Sequence, residues 1–306
     1  AGVADGTENG NRGVSMQDAG TAVTSARADV TILGAIPVSG VQNTGVELGA
    51  GTAISGNGAT LITTDTISIS GAAMIGGGGT LAIRSISAGT SIGLGDGAAG
   101  RLSINSAGIG AISGLSHVTI GSADAGNVEI RASTWRAPLT ILTLGEIVVS
   151  DQLTNLVGSV TFEAANTILA ASILTAGQEI IIHSPITLSA NAALDSTRGG
   201  SVLNGAHITI SGAINSALAD NSSGPDFTIN AGLAGDVTLQ GAIGQTAALH
   251  AVSVTGARLI GVPGISTRTF QLTAGGVMNL SNLSATSSSR KHRPLFRSMA
   301  QAAMTP

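Results

Sequence analysis

A four-residue phrase recurs along this chain: a polar residue, a branched or aromatic apolar residue, Thr, and a second apolar residue. It reads Asp29-Val30-Thr31-Ile32, His117-Val118-Thr119-Ile120, Ser159-Val160-Thr161-Phe162, His207-Ile208-Thr209-Ile210, Asp226-Phe227-Thr228-Ile229 and Asp236-Val237-Thr238-Leu239. Looser copies are Arg101-Leu102-Ser103-Ile104, Asn127-Val128-Glu129-Ile130 and Ala251-Val252-Ser253-Val254. Each alternates apolar and polar with period two, which predicts a short strand with one buried face. A strand this short cannot bury its apolar face alone, so its repetition predicts a stacked array.

The spacing sets the unit. Val118 to Val128 and Phe227 to Val237 each span 10 positions, Ile208 to Phe227 spans 19 and Val160 to Ile180 spans 20. These values fit a coil of about 20 residues holding two or three strands. The expected fold is therefore all-β, a right-handed parallel β-helix. Gly40, Gly45, Gly49, Gly51, the run Gly76 to Gly79 and Gly93-Leu94-Gly95-Asp96-Gly97 supply its corners, and Asn at phrase ends, as in Asn105 and Asn230, can also accept a left-handed conformation. Strands in register would stack inward Val, Ile and Phe like upon like and set outward Thr and Ser in ladders. An antiparallel sandwich competes, but it needs tight hairpin turns, and Asn-Gly occurs only at Asn9, Asn57 and Asn204. The expected organisation is an irregular Gly-rich opening segment over 1–27, the array over 28–285, and a Ser-rich, basic, disordered tail over 286–306.

Composition agrees with thin, stacked layers. Of 306 residues 44 are Gly, only 10% are charged where about a quarter is usual, and only 2% are aromatic. Abundant Val, Ile and Thr in strand patterns argue against disorder. The chain has no Cys, which excludes a disulfide framework, a thiol catalyst and Cys-ligated metal. The formal net charge is −4 and the basic residues are scattered, so the stripe that nucleic-acid binding requires is missing. No run approaches the ~18 apolar residues of a membrane span. The start, Ala1-Gly2-Val3-Ala4-Asp5-Gly6, lacks both a signal-peptide pattern and an initiator Met, which suggests an internal or C-terminal piece of a longer chain.

Three stretches carry a resemblance. They are Ser85-Ile86-Ser87-Ala88-Gly89-Thr90-Ser91-Ile92-Gly93-Leu94-Gly95-Asp96-Gly97-Ala98-Ala99-Gly100, then Ser116-His117-Val118-Thr119-Ile120-Gly121-Ser122-Ala123-Asp124-Ala125-Gly126-Asn127-Val128-Glu129-Ile130. The third is Gly235-Asp236-Val237-Thr238-Leu239-Gln240-Gly241-Ala242-Ile243-Gly244, followed by Val252-Ser253-Val254-Thr255-Gly256-Ala257. Over about Ser85 to Ala257 the chain resembles the repeats of filamentous haemagglutinin-like exoproteins of Gram-negative bacteria. That resemblance implies a right-handed β-helical stalk, secreted or on the cell surface, often exported through an outer-membrane partner. It implies adhesion to host or cell-surface carbohydrate or protein.

The local motifs yield little chemistry. Gly95-Asp96-Gly97-Ala98-Ala99-Gly100 matches a dinucleotide-binding string, but such a site needs a helix after it, and the strand phrase Leu102-Ser103-Ile104 follows. Gly76 to Gly79 is followed by Thr80 and Leu81, and Asp96 stands alone, so no tandem calcium-binding array is indicated. The histidines are His117, His183, His207, His250 and His292, with no tight ligand spacing, and His117 and His207 are repeat positions. No cofactor, metal or catalytic residue is expected. A β-helical polysaccharide lyase or glycoside hydrolase is the enzymatic alternative and needs paired carboxylates. The 17 acidic residues are dispersed and Tyr is absent, so sugar-stacking platforms are scarce. A surface-layer or phage fibre segment is a further alternative.

One local oddity is Arg131-Ala132-Ser133-Thr134-Trp135-Arg136-Ala137-Pro138, which holds the single Trp. Arg131, Trp135 and Arg136 form the one candidate binding spot, since Trp and Arg are enriched where proteins recognise partners. The competing reading folds the ring over a coil as packing. Asn221, Asn279 and Asn282 open N-x-Ser sequons, and Arg290-Lys291-His292-Arg293 makes the tail basic.

Overall fold

The computed structural model describes residues 2–3, 10–36, 43–218, 224–262, 267–274, 278–280 and 296–298. The described chain divides into two compact units, 1–158 with 163–165, and 159–162 with 166–306. Each is a parallel β-helix: every named strand ladder runs parallel, and the chain passes three faces in turn before returning to the first.

All nine phrases are strands. Of the six strong copies, five lie on the first face, in Val30–Ala35, His117–Gly121, Val160–Glu163, Ile208–Ile210 and Asp236–Leu239. The sixth, within Asp226–Asn230, lies on the third face.

In the first unit an isoleucine column runs through Ile32, Ile62, Ile83, Ile120 and Ile141, each paired with the next. Beside it stand Val30, Thr60, Leu81, Val118 and Leu139. In the second unit Val160, Ile180, Ile208, Val237 and Ile260 form one column, and Phe162, Ile182 and Ile210 lead to Leu239 in the other. Most of these side chains are fully buried, each contributing about 1.5–3 kcal/mol relative to exposure. Like stacks upon like because parallel in-register pairing holds the same branched shape at each level. The outward hydroxyl row is less regular: Leu61 and Ala82 separate Thr31 from Thr119, and Ile181 separates Thr161 from Thr209.

Coil length is where the structure departs most from the sequence expectation. Val160 faces Ile180, 20 positions on, but Leu81 faces Val118, 37 positions on, and Ile208 faces Val237, 29 on. The 37-position coil holds an extra strand, Leu102–Ile104, and a short helix, Ser106–Gly110, while other coils lengthen at corners. One example is the loop 196–206 between the strands Ala192–Asp195 and Ile208–Ile210. The array also begins inside the expected opening segment: Arg12–Met16 pairs with Thr44–Leu48, and Ala22–Ser25 with Ala53–Gly56. Within the expected tail, Phe296–Ser298 pairs with Phe270–Leu272, while Arg290 to Arg293 lie outside the described residues.

Neither predicted asparagine turns left-handed. Asn105 is extended at φ −71 and caps a short helix, Ser106–Gly110, accepting the Gly108 N–H at 2.8 Å. Asn230 donates to the Thr197 hydroxyl at 3.0 Å and accepts the Gly232 N–H at 3.2 Å. At Asn230 the side-chain amide holds the corner while Gly232, at φ 72°, turns the backbone.

Candidate functional surface

The outward polar positions are where chemistry would lie, and their partners come from neighbouring coils. In the first unit Asp65 ends a first-face strand and its side chain is 8% exposed. It accepts N–H bonds from Ile86 at 2.9 Å and Ser87 at 2.8 Å, and the Ser87 hydroxyl at 2.5 Å, with Arg101 3.5 Å away. Burial alone would raise the Asp65 pKa. The Ser87 and Ile86 bonds and the Arg101 charge outweigh it and hold the carboxyl below its ordinary value.

Glu129 faces outward from the second-face strand Val128–Ile130. It accepts the Ala99 N–H at 2.6 Å, Arg131 Nε at 2.9 Å and the Ser150 hydroxyl at 3.2 Å. The Ala99 bond is the chief cause of its lowered pKa, with Arg131 adding to it. Glu47 is likewise lowered: burial opposes, and bonds from Gln17, Ser15 and Arg12 prevail.

The second unit pairs histidines with carboxylates. The His250 imidazole donates through Nδ1 to Asp226 Oδ1 at 2.6 Å, since a carboxylate only accepts. His207 works the other way, because its Nδ1 accepts the Asp236 N–H at 3.1 Å. Its 3.4 Å approach to Asp236 Oδ2 is longer and lacks a proton on that nitrogen. Asp236 is paired with Arg258, which donates Nε at 2.9 Å and Nη2 at 2.7 Å. In the first unit His117 Nε2 meets Thr140 Oγ1 at 3.0 Å. Each of these histidines thus bonds a residue 23 to 29 positions away.

Arg131, Trp135 and Arg136 do not converge on one surface. The strand Ser133–Trp135 alternates so that Ser133, Trp135 and Ala137 face inward, and Trp135 has no exposed surface. Arg136 is exposed and Arg131 is partly exposed, engaged with Glu129. The indole is a core side chain, and its Nε1 has no acceptor among the described residues.

The Gly95 to Gly100 string is a corner. Gly95 and Gly97 have φ of 98° and 71°, a Cβ on Gly100 would run into the backbone of Gly93, and the strand Leu102–Ile104 follows. Among the described residues no group of three or more His, Asp or Glu could hold a metal ion, and no helix is long and apolar enough to cross a membrane. Asn221, Asn282 and His292 lie outside the described residues.

Sequence reasoning missed Asp65 and Arg258, whose partners lie 21 or more positions away and carry no local signal. No protein-family model, curated protein or solved structure matches the chain.

Proposed function

We propose that this chain is a non-enzymatic stalk segment of a large adhesin, secreted to or displayed on the surface of a Gram-negative bacterium. The observation that carries this reading is the use of polar side chains as fasteners between coils: Asp65, Glu129, His117, His207, Asp226 and Asp236 each bond a residue of another coil. Side chains so engaged hold neighbouring coils of each unit together, which suits a structural role. The mechanism is spatial. Stacked coils carry a binding region, for host or cell-surface carbohydrate or protein, away from the membrane. A chain without Cys suits export unfolded through an outer-membrane secretion partner, because no early disulfide can obstruct threading. Coil stacking then drives folding outside.

Protease shaving of intact cells, followed by detection with an antibody to residues 43–262, tests the placement. Loss of signal from unbroken cells is expected, and full retention inside them overturns the reading. Release of reducing ends or unsaturated sugars from acidic polysaccharides would instead assign the enzymatic class.

A further inference from the structure

The segment Ser91–Ala111 satisfies much of its own hydrogen bonding. Ile92–Leu94 pairs with Leu102–Ile104, only 10 positions later, whereas the other ladders described join partners at least 17 apart. Leu102 N–H donates to the Ser91 carbonyl at 3.0 Å and Gly95 N–H to the Ile104 carbonyl at 2.9 Å. Arg101 N–H donates to Ser91 Oγ at 3.2 Å, Ser106 N–H to Asp96 Oδ1 at 2.9 Å, and Asn105 caps Gly108. Ile92, Leu94 and Leu102 are wholly buried and Ile104 is 2% exposed.

The surroundings set this segment apart on its face. The second-face ladder from the N-terminal side ends at Ile67–Ile69, which pairs with Val46–Leu48. A new ladder opens with Leu102–Ile104, then Ile92–Leu94, then Val128–Ile130. The chain thus steps backwards: the later strand lies on the side away from Val128. The first face carries a continuous ladder past this level, through Ala59–Thr64, Thr80–Arg84 and His117–Gly121, and the third face adds a single bridge from Ile75 to Ile112 just after the segment. Register on the second face is therefore not inherited from Ile67–Ile69.

We infer that Ser91–Ala111 is an internal starting point for coil stacking. Its rung pair forms before its neighbours and templates Val128–Ile130. Closing a loop costs more entropy as it lengthens, so a 10-residue closure precedes those of 20 to 37 residues. A solenoid can begin folding wherever one repeat has sufficient contacts of its own. The back-step is the feature that lets one stretch template a neighbour without strand pairing to an earlier second-face rung.

Pulse-labelled hydrogen exchange during refolding of the full chain reads the order directly. The amides of Gly95, Leu102 and Ile109 are expected to gain protection before those of Val46, Ser70 and Ser150. Simultaneous or later protection overturns the proposal. A pair of variants gives a second reading. Gly97 and Gly20 have φ of 71° and 87° with open space around each, so alanine strains the backbone alone. Gly97→Ala is expected to slow refolding about fivefold with unfolding unchanged, and Gly20→Ala to speed unfolding instead. If Gly97→Ala only speeds unfolding, the segment is not the starting point.

Discussion

The Asn155 side chain reaches back one coil and donates to the Ala137 carbonyl at 2.7 Å, while its own Oδ1 accepts the N–H of Gly158 at 3.0 Å. Asn155 has no exposed surface, so one buried amide fastens two levels of the first unit at a corner. Truncating it strands both backbone partners. Asn155→Ala is expected to destabilise the first unit by about 2–4 kcal/mol, since each orphaned buried group costs about 1–3 kcal/mol. The shift in urea midpoint, followed by Trp135 fluorescence, checks this. A change under ~1 kcal/mol would mean the corner relaxes to recover its bonds.

In the second unit Thr167 Oγ1 and Ser184 Oγ meet at 2.7 Å, both buried. Either hydroxyl left alone loses its partner, so Thr167→Val or Ser184→Ala is expected to cost about 1–3 kcal/mol. The double variant removes both polar groups and is expected to cost less than the two singles combined, a coupling of about 1 kcal/mol or more. Strict additivity in a double-mutant cycle would show that the hydroxyls do not depend on one another.

Acid is expected to weaken the first unit. Glu47, Asp65 and Glu129 all have folded pKa values below their ordinary ones. A carboxylate of this kind contributes stability that is fully present above its unfolded pKa and is lost as pH falls through the folded value. Unfolding midpoints between pH 6 and 2 should therefore fall below the ordinary carboxylate range, near pH 4. Asp65→Asn should lower stability at pH 6 and flatten that slope. An unchanged slope in the variant would remove Asp65 from the account.

Trp135, the only Trp of the chain, is wholly buried and makes a single-site reporter. Its emission is expected to be blue-shifted and shielded from acrylamide, and to move red on unfolding. Because its Nε1 has no acceptor among the described residues, Trp135→Phe surrenders ring volume but also an unpaired N–H. Those terms oppose, and a net cost of about 1 kcal/mol or less is expected, well under the 3–5 kcal/mol of a Trp→Ala change. Ready acrylamide quenching in the folded state would place the ring at the surface instead.

The first face was the legible part of the sequence. Its strands are long enough for polar-apolar alternation to stand out, as in His117-Val118-Thr119-Ile120, and their two inward columns are almost purely aliphatic. The second face includes strands such as Ile186–Leu188, which follows Pro185 rather than a polar residue and so does not match the phrase. The third face mixes Trp135, Asn155 and Thr175 into inward positions.

Spacing misled for a related reason. The 19 positions from Ile208 to Phe227 are a step between faces, and the full coil runs 29, to Val237. In that coil the extra residues enter between the strands Ile214–Ser216 and Asp226–Asn230, outside the inward columns, so the core pattern does not constrain their number. The Trp135 reading was open because Arg neighbours suggest a surface. The alternation Ser133-Thr134-Trp135-Arg136-Ala137 settles it, with every second side chain inward. Asp65 was illegible because Ile86, Ser87 and Arg101 come to it only when coils stack.

The loop 196–206 leaves the second unit between strands whose partners above and below keep their places. Gly199 and Gly200 are exposed, and Asp195 holds the turn up to Gly199 by accepting the N–H groups of Thr197 and Gly199. Such a corner works as an open port. A foreign peptide spliced between those two glycines would ride outside the rungs as cargo, its length invisible to the columns within.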